Sequence, residues 1–234
     1  MNIQLWFVDC QKDFINATGK LSIPNATDIL GNLSKLRKAA TKYGIKAVYT
    51  QDFHAMDDPE LSDKPDFKTT FPPHCVAGTV GATFVDEVEC PQNAVILNPQ
   101  DDLMYILDKH DDLGFFERDA ILTKQIFSTF DGNKNAETYV EATRPDVVFA
   151  CGVAGDVCVK AVVEGFVKMN DLLIDLGDRP IKICLVTDAV KSLDEDNTTR
   201  FLMKMVIDRK EFSLVDANFV TKFLDVVDGF GETL

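Results

Sequence analysis

The sequence has few of the features that mark a secreted, membrane-bound or nucleic-acid-binding protein. Its 24 lysines and arginines are outnumbered by 38 aspartates and glutamates, and the net charge of -14 argues against nucleic acid or an anionic membrane as a partner. No apolar run approaches the length of a membrane span, and the first residues, MNIQLWFVDC, show no signal-peptide pattern. We therefore expect a cytoplasmic protein with neither kind of partner.

Paired cysteine spacing is also missing. The six cysteines are scattered through the chain, at positions 10, 75, 90, 151, 158 and 184. This pattern favours reduced thiols over a disulfide framework. A length of 234 residues, of which 46% are hydrophobic, suffices for a sizeable core, and we expect a single domain over residues 1–234.

Short apolar runs alternate with stretches of helical periodicity along the chain. The predicted strands are Ile3–Val8, Lys46–Thr50, Ala94–Leu97, Ala120–Thr123, Val147–Cys151, Lys182–Thr187 and Phe212–Val215, and the predicted helices are Ile29–Tyr43, Ala136–Ala142, Ala161–Met169, Glu195–Ile207 and Ala217–Val227. Such alternation predicts a doubly wound, three-layer α/β/α domain whose mainly parallel sheet has about six strands. Residues 53–92 are rich in Pro, Asp, Gly and His, which predicts a long, ordered and functional loop.

Reactive side chains lie at or just past the ends of four predicted strands: Asp9, Asp52, Lys124 and Cys158. Ligands bind at the carboxyl edge of an open parallel sheet, so these groups can meet in one crevice. Lys124 follows a buried strand and needs a carboxylate partner, for which Asp9 is the natural candidate. Cys158 falls in the first turn of a predicted helix, where the helix dipole favours a thiolate. The alternatives are that Asp9 caps a helix and that Cys158 is a small core side chain.

Two of the three histidines lie in the loop region. Asp52 and His54 are two residues apart in an extended segment, so their side chains project to the same side. His74 follows in the segment Phe-Pro-Pro-His. Mixed oxygen and nitrogen ligands of this kind suit a divalent metal. The alternative is a pair of hydrogen-bonded histidines in an irregular loop.

Several motifs occur together in a fixed order. They are VDCQKDF (8–14), TQDFH (50–54), FPPHCVAGTVGATF (71–84), Lys124 ahead of FSTFDGN (127–133), ACGVAGDVCV (150–159) and VTDAVKSLD (186–194). This series resembles the isochorismatase-like cysteine hydrolase superfamily and, within it, the nicotinamidases. The histidine in PPHCVAGTVGA is the more selective feature, since many metal-free relatives do not have it.

The resemblance implies a cysteine-dependent amidase of NAD metabolism that deamidates nicotinamide to nicotinate and ammonia through a thioester. Asp9, Lys124 and Cys158 would form the catalytic triad, and the N–H groups of Ala154 and Cys158 would bind the oxyanion. The Val153–Ala154 peptide matches a cis bond of the family. An alternative is the same chemistry on another small amide, carbamoyl or ureido compound. A homo-oligomer would also fit the family, although no exposed stripe locates an interface.

The resemblance also implies a divalent metal, typically zinc, iron or manganese, bound by Asp52, His54 and His74. Glu60 is the best match to a fourth ligand, with Asp57, Asp58 and Asp63 as competitors. Phe14 and Phe71 would line the ring pocket. Two readings from other classes remain: a ligand-binding relative without catalysis, and a zinc hydrolase in which Cys158 is structural.

Overall fold

The computed structural model describes residues 1–109 and 114–231, and its centre is a parallel sheet of seven strands. The strands are β1 (Ile3–Val8), β2 (Lys46–Asp52), β3 (Val95–Leu97), β4 (Ala120–Lys124), β5 (Val147–Val153), β6 (Lys182–Lys191) and β7 (Phe212–Val215). The helices are α1 (Lys12–Ile15), α2 (Leu30–Lys42), α3 (Leu103–Lys109), α4 (Thr129–Gly132), α5 (Asn135–Thr143), α6 (Cys158–Asp175), α7 (Glu195–Asp208) and α8 (Ala217–Gly231). Two short 3-10 helices cover Ala26–Ile29 and Asp86–Val88.

The strand order is β3-β4-β2-β1-β5-β6-β7, and every neighbouring pair is parallel. The sheet thus has seven strands, where the sequence predicts about six. Each of the seven overlaps a predicted strand, including β3 at the edge, which pairs with β4 through only three residues. The prediction of a doubly wound α/β fold is confirmed.

Helices cover both faces of the sheet, and the buried side chains of β1 alternate between these two faces. Ile3, Leu5 and Phe7 belong to a core shared with α2 and α8, whereas Trp6 and Val8 belong to a second core shared with α5, α6 and α7. Successive side chains of a strand point to opposite faces, so both faces of this central strand are buried.

The central position of β1 determines where a ligand site can form. Its neighbours are β2 on one side and β5 on the other, so the chain leaves β1 in one direction and later returns on the opposite side. This reversal opens a crevice at the carboxyl ends of the strands, which is where open parallel sheets bind ligands.

The segment from 53 to 92 contains only the Asp86–Val88 turn and isolated bridges as regular structure. It is nevertheless anchored, because Cys75, Ala82 and Val85 are buried in the core shared with α2. The loop therefore covers the carboxyl end of the sheet with a defined conformation. All six cysteines are free, and none of the helices in residues 1–109 and 114–231 has the length and apolarity needed to span a bilayer.

Candidate active site and metal centre

Four adjacent strands bring the reactive side chains to one edge of the sheet. In the order β4-β2-β1-β5, these strands end at or lead into Lys124, Asp52, Asp9 and Cys158, respectively. Asp52 and Lys124 are direct partners in the ladder between β2 and β4. Parallel strands end at a common edge, so residues remote in sequence become neighbours here.

Asp9 is held in an uncommon backbone conformation at the end of β1. Its φ angle is 46°, in the left-handed region that non-glycine residues seldom adopt. Thr50 of β2 stabilises this turn, because its Oγ1 accepts the Asp9 N–H at 3.1 Å and donates to the Asp9 carboxylate. Burial raises the pKa of the Asp9 carboxyl above its ordinary value, against the opposing effect of Lys124.

Lys124 is fully buried between two carboxylates. Its Nζ lies 2.9 Å from Asp9 Oδ2 and also hydrogen-bonds to Asp52 Oδ1. Burial acts to lower the pKa of the ammonium, but Asp52 and Asp9 outweigh burial and raise it well above its ordinary value. The sequence points to Asp9 as the partner of Lys124, and Asp52 is a second partner. Lys124 therefore connects Asp9 to Asp52, which lies close to His54 and His74.

Cys158 is the first residue of α6 and lines the cavity at the sheet edge. Burial raises the pKa of its thiol well above the ordinary value, and the neighbouring Asp9 carboxylate raises it further, while Lys124 acts in the opposite direction. The expectation that the helix N-terminus leaves a thiolate is therefore wrong for the free site. A buried thiol facing a carboxylate keeps its proton until a base removes it.

The backbone ahead of Cys158 bends sharply toward the site. Gly152 has a φ of 120°, and a Cβ at this position would lie 2.0 Å from the carbonyl oxygen of Val8. Only glycine allows β5 to approach β1 this closely. The following Val153–Ala154 peptide is cis, as the family resemblance implies.

A buried cluster of possible metal ligands lies beside Lys124. One ligand atom from each of Asp52, His54 and His74 lies within 4.8 Å of the other two. Asp52 Oδ2 is 3.9 Å from His54 Nε2 and 3.6 Å from His74 Nε2. Lys124 and the two histidines outweigh burial and lower the pKa of Asp52 to about 2, so the carboxylate is charged at neutral pH.

The donor set fits a divalent metal. His54 Nε2 is buried without a hydrogen-bond partner among the described residues, whereas its Nδ1 lies 3.2 Å from Asp58 Oδ2. His74 Nδ1 lies 2.8 Å from the carbonyl oxygen of Pro72. Contacts of this kind fix the ring orientation of metal-binding histidines and leave Nε2 directed at the ion.

Burial and hydrogen bonding distinguish the four acidic residues that are candidates for a further metal ligand. Glu60 is 7% exposed and lines the same cavity as Asp52 and His74. Asp58 instead accepts the Ala55 N–H and faces His54 Nδ1, and both Asp57 and Asp63 are exposed. Glu60 lies outside the three-residue cluster, but it is the buried acid of the four that faces the site.

Replacing Glu60 with glutamine should stabilise the metal-free protein while weakening metal binding. Burial, followed by the nearby Asp52, raises the pKa of Glu60 from 4.5 to about 7. A carboxyl whose pKa is raised by folding destabilises the protein increasingly as the pH rises from about 4.5 to 7. Thermal unfolding of the metal-free forms should therefore show a higher Tm for Glu60→Gln at pH 8 and no gain at pH 4.

The matched zinc titration should show affinity lowered about tenfold or more in Glu60→Gln, because a neutral amide is a weaker ligand than a carboxylate. Asp63→Gln, an exposed acid of the same loop, is the control and should change neither quantity. Unaltered zinc affinity in Glu60→Gln would exclude Glu60 as a ligand.

A narrow cavity joins the cysteine to the histidine cluster. Phe14 and Phe71 lie on its wall, with ring centroids 5.3 and 6.2 Å from that of His74. The complete lining is Phe14, Leu21, Ile23, Asp52, Glu60, Phe71, His74, Phe127, Ala154, Val157, Cys158 and Leu193. Apolar walls and a few convergent polar groups are typical of sites for small ligands.

Several of these residues were not identified from the sequence. Leu21 and Ile23 reach the cavity from one loop, and Phe127 and Leu193 from two others. Phe127 and Leu193 lie within the quoted motifs, but no local pattern distinguishes any of the four from core or surface residues. Thr50 is likewise an ordinary strand residue until its contact with Asp9 is seen.

Comparison with known proteins agrees with this fold. Residues 4–100 match the Isochorismatase domain family. Over 218 residues the chain is 24% identical to a nicotinamidase of Saccharomyces cerevisiae, covering 79% of this chain and 94% of that protein. The fold is similar to that of a pyrazinamidase of Pyrococcus horikoshii in complex with zinc, with a TM-score of 0.64 and 22% sequence identity over 92% of this chain and 99% of the other. It is also similar to that of an N-carbamoylsarcosine amidase from Thermoplasma acidophilum, with a TM-score of 0.62 and 22% identity over 93% of this chain and 97% of the other.

The family model matched over residues 4–100, together with the fold, supports a relationship to the isochorismatase-like hydrolases. A nicotinamidase is among the proteins to which the chain is similar over most of its length.

Proposed function

We propose that this protein is a metal-dependent nicotinamidase, in which Cys158 attacks the carboxamide of nicotinamide and releases ammonia and nicotinate. The observation that carries the proposal is the link between two sets of residues. Lys124 contacts both Asp9, which faces the thiol, and Asp52, which belongs to the histidine cluster. In this account residues 1–234 form one cytoplasmic hydrolase domain, and residues 53–92 supply its metal-binding loop.

The first half of the reaction forms a thioester. Asp9 takes the proton from the Cys158 thiol as Sγ bonds to the carboxamide carbon, and the carbonyl electrons move to its oxygen. The raised pKa of Asp9 makes its carboxylate a stronger base than an exposed one. Lys124 stays protonated throughout and limits the charge that builds up around the buried acid.

The oxyanion is stabilised by the N–H groups of Ala154 and Cys158. The Cys158 N–H is in the first turn of α6, where amides have no intrahelical acceptor. As the carbonyl re-forms, the C–N bond breaks and the departing nitrogen takes the proton from Asp9, giving ammonia and an acyl-cysteine.

The second half hydrolyses the thioester. Asp9 removes a proton from water while the water oxygen bonds to the acyl carbon, which restores the oxyanion. Collapse then breaks the C–S bond, and the Cys158 sulfur recovers the proton from Asp9. The carboxylic acid product leaves, and the site returns to its initial protonation state.

The substrate ring is oriented by the remaining residues of the cavity. Asp52, His54, His74 and Glu60 would hold the metal, and zinc, iron or manganese all suit this donor set. When bound, the ion supplies a Lewis acid that anchors the pyridine nitrogen and so directs the carboxamide at Cys158. Phe14 and Phe71 offer the flat ring two apolar walls.

Hydrolysis of another small amide, carbamoyl or ureido compound is the second candidate function. The same fold is found in an N-carbamoylsarcosine amidase, and the triad would be unchanged for such a substrate. The buried histidine cluster favours nicotinamide, since Asp52 and His74, which would hold a ring-orienting metal, line the same cavity as Cys158.

Ammonia release from the zinc-loaded protein should decide between these functions. With nicotinamide, pyrazinamide and N-carbamoyl compounds at equal concentration, we expect kcat/KM for nicotinamide to exceed that for carbamoyl compounds by about 100-fold or more, because the two classes fill the ring pocket differently. The reverse order would establish the second function. Binding without turnover of any of these compounds would indicate a ligand-binding relative.

A further inference from the structure

Two buried polar side chains that take no part in the proposed chemistry, Gln11 and Asp13, lie two and four residues after Asp9. Gln11 is fully buried, and its amide clamps the end of β2: Nε2 donates to the Asp52 carbonyl at 2.7 Å, while Oε1 accepts the Asp52 N–H at 2.8 Å. The same Nε2 also donates to the carbonyl of Ala82 at 2.9 Å. One side chain thus fixes the backbone of Asp52 against the loop that follows His74.

Asp13 makes a second clamp on the same loop. Its Oδ2 accepts the N–H of Cys75, the residue next to His74, at 2.8 Å, and its Oδ1 accepts the Lys20 N–H at 3.0 Å. Gly81 packs directly against this carboxylate, since a Cβ there would lie 2.1 Å from Oδ2. The Asp13 carboxylate therefore has no free space on the side of Gly81.

We propose that Gln11 and Asp13 are positioning residues that set the spacing between Asp52 and His74, and hence the affinity of the site for its metal. This inference rests on the metal site of the proposed function. The two ligands come from distant parts of the sequence. Their segments meet at the bridge between His54 and Val76, and their separation also depends on the other residues to which both segments are bonded. The backbone of Asp52 is bonded to Gln11, and that of Cys75, next to His74, is bonded to Asp13. Residues 11–13 also lie close to Asp9 in the sequence. Metal affinity is sensitive to such outer contacts, whose loss typically costs about 10–100-fold.

The chain offers a matched control for Gln11. Asn170, also fully buried, makes the same two-bond clamp far from the site: its Nδ2 donates to the Ile181 carbonyl at 2.9 Å, and its Oδ1 accepts the Ile181 N–H at 2.8 Å. Gln11→Met and Asn170→Leu each replace a buried amide with an apolar side chain of similar size. Both should lower the Tm of the metal-free protein, because both leave backbone groups without partners.

Asp13 can be tested in two independent ways. Asp13→Asn has a single acceptor oxygen for two N–H groups and must release one of them. Gly81→Ala leaves Asp13 unchanged but displaces its carboxylate from the position in which it accepts the Cys75 N–H. Gly31→Ala is the control, since a Cβ there meets nothing within 4 Å.

The measurement is the zinc dissociation constant of each variant, by competition with a chromophoric chelator, together with the Tm of its metal-free form. We expect Gln11→Met, Asp13→Asn and Gly81→Ala to bind zinc about tenfold or more weakly. Asn170→Leu and Gly31→Ala should stay within about twofold of the wild type, even where the Tm of Asn170→Leu falls as far as that of Gln11→Met.

Equal zinc affinity in the wild type and in the three variants would overturn the inference, as would an equal loss in Asn170→Leu. If Gln11→Met does not fold, Asp13→Asn and Gly81→Ala decide the question by the same criterion. A wild-type protein that binds no zinc, iron or manganese would instead refute the metal site of the proposed function, and the inference with it.

Discussion

Cys158→Ala should abolish ammonia release from nicotinamide while leaving the metal content unchanged. The sulfur is the atom to which the acyl group bonds, so its removal eliminates the covalent route, and losses of this kind are on the order of 10⁴-fold or more in kcat. Cys158 belongs to the cavity but not to the buried ligand cluster of Asp52, His54 and His74. Steady-state kinetics and metal analysis of the same preparation measure both effects.

Two further variants make this result specific. Cys184→Ala, a buried cysteine of β6 outside the cavity, should retain activity. His74→Ala should show the opposite pattern to Cys158→Ala, with loss of metal and weaker substrate binding. Near wild-type turnover by Cys158→Ala would mean that metal-bound water, and not the thiol, attacks the substrate.

Lys124→Met should be severely damaging to both folding and activity. The change removes the cation between Asp9 and Asp52 and leaves two buried carboxylates without their shared partner. Breaking a buried ion pair in this way costs about 3–5 kcal/mol. For a chain of this size, such a loss lowers the Tm by roughly 10 °C. Thermal unfolding and kcat, normalised to folded protein, report the two effects.

Lys42→Met provides the contrast. This lysine is 67% exposed and pairs with Asp225 on the surface, where ion pairs contribute little. Its Tm should stay within about 2 °C of the wild type. A Lys124→Met protein as stable as Lys42→Met would show that the acids are protonated in the native site, which contradicts the charge arrangement proposed above.

The regular part of the fold was predictable because buried strands have a strong hydrophobic signal. The bounds of β1 and β7 agree with the prediction. The prediction is less accurate where the tertiary structure extends an element. β6 continues through the polar residue Asp188 to Lys191, because β5 still pairs with it beyond the register shift near Gly152. α6 begins at Cys158 and ends at Asp175, well beyond the predicted apolar stretch of Ala161–Met169.

The candidate site was predictable to the extent that its residues lie at strand ends or in recognisable motifs. Asp9, Asp52, Lys124 and Cys158 were found from this position alone. The second partner of Lys124 and the clamps made by Gln11 and Asp13 depend on the packing of a loop against the sheet. The prediction of a thiolate at Cys158 considered only the helix dipole. It left out burial, which raises the pKa of the thiol. Contacts of this kind appear only once strands distant in sequence are neighbours.

The central claim is that Cys158 carries the acyl group during turnover. Intact-protein mass spectrometry of the zinc-loaded enzyme, quenched in acid within milliseconds of mixing with nicotinamide, tests it directly. We expect a nicotinoyl adduct that peptide mapping assigns to Cys158, that decays as nicotinate appears, and that is absent from Cys158→Ala. An enzyme that releases ammonia with no adduct at any point of a time course that includes the first turnover, or with the adduct on another residue, would contradict the account.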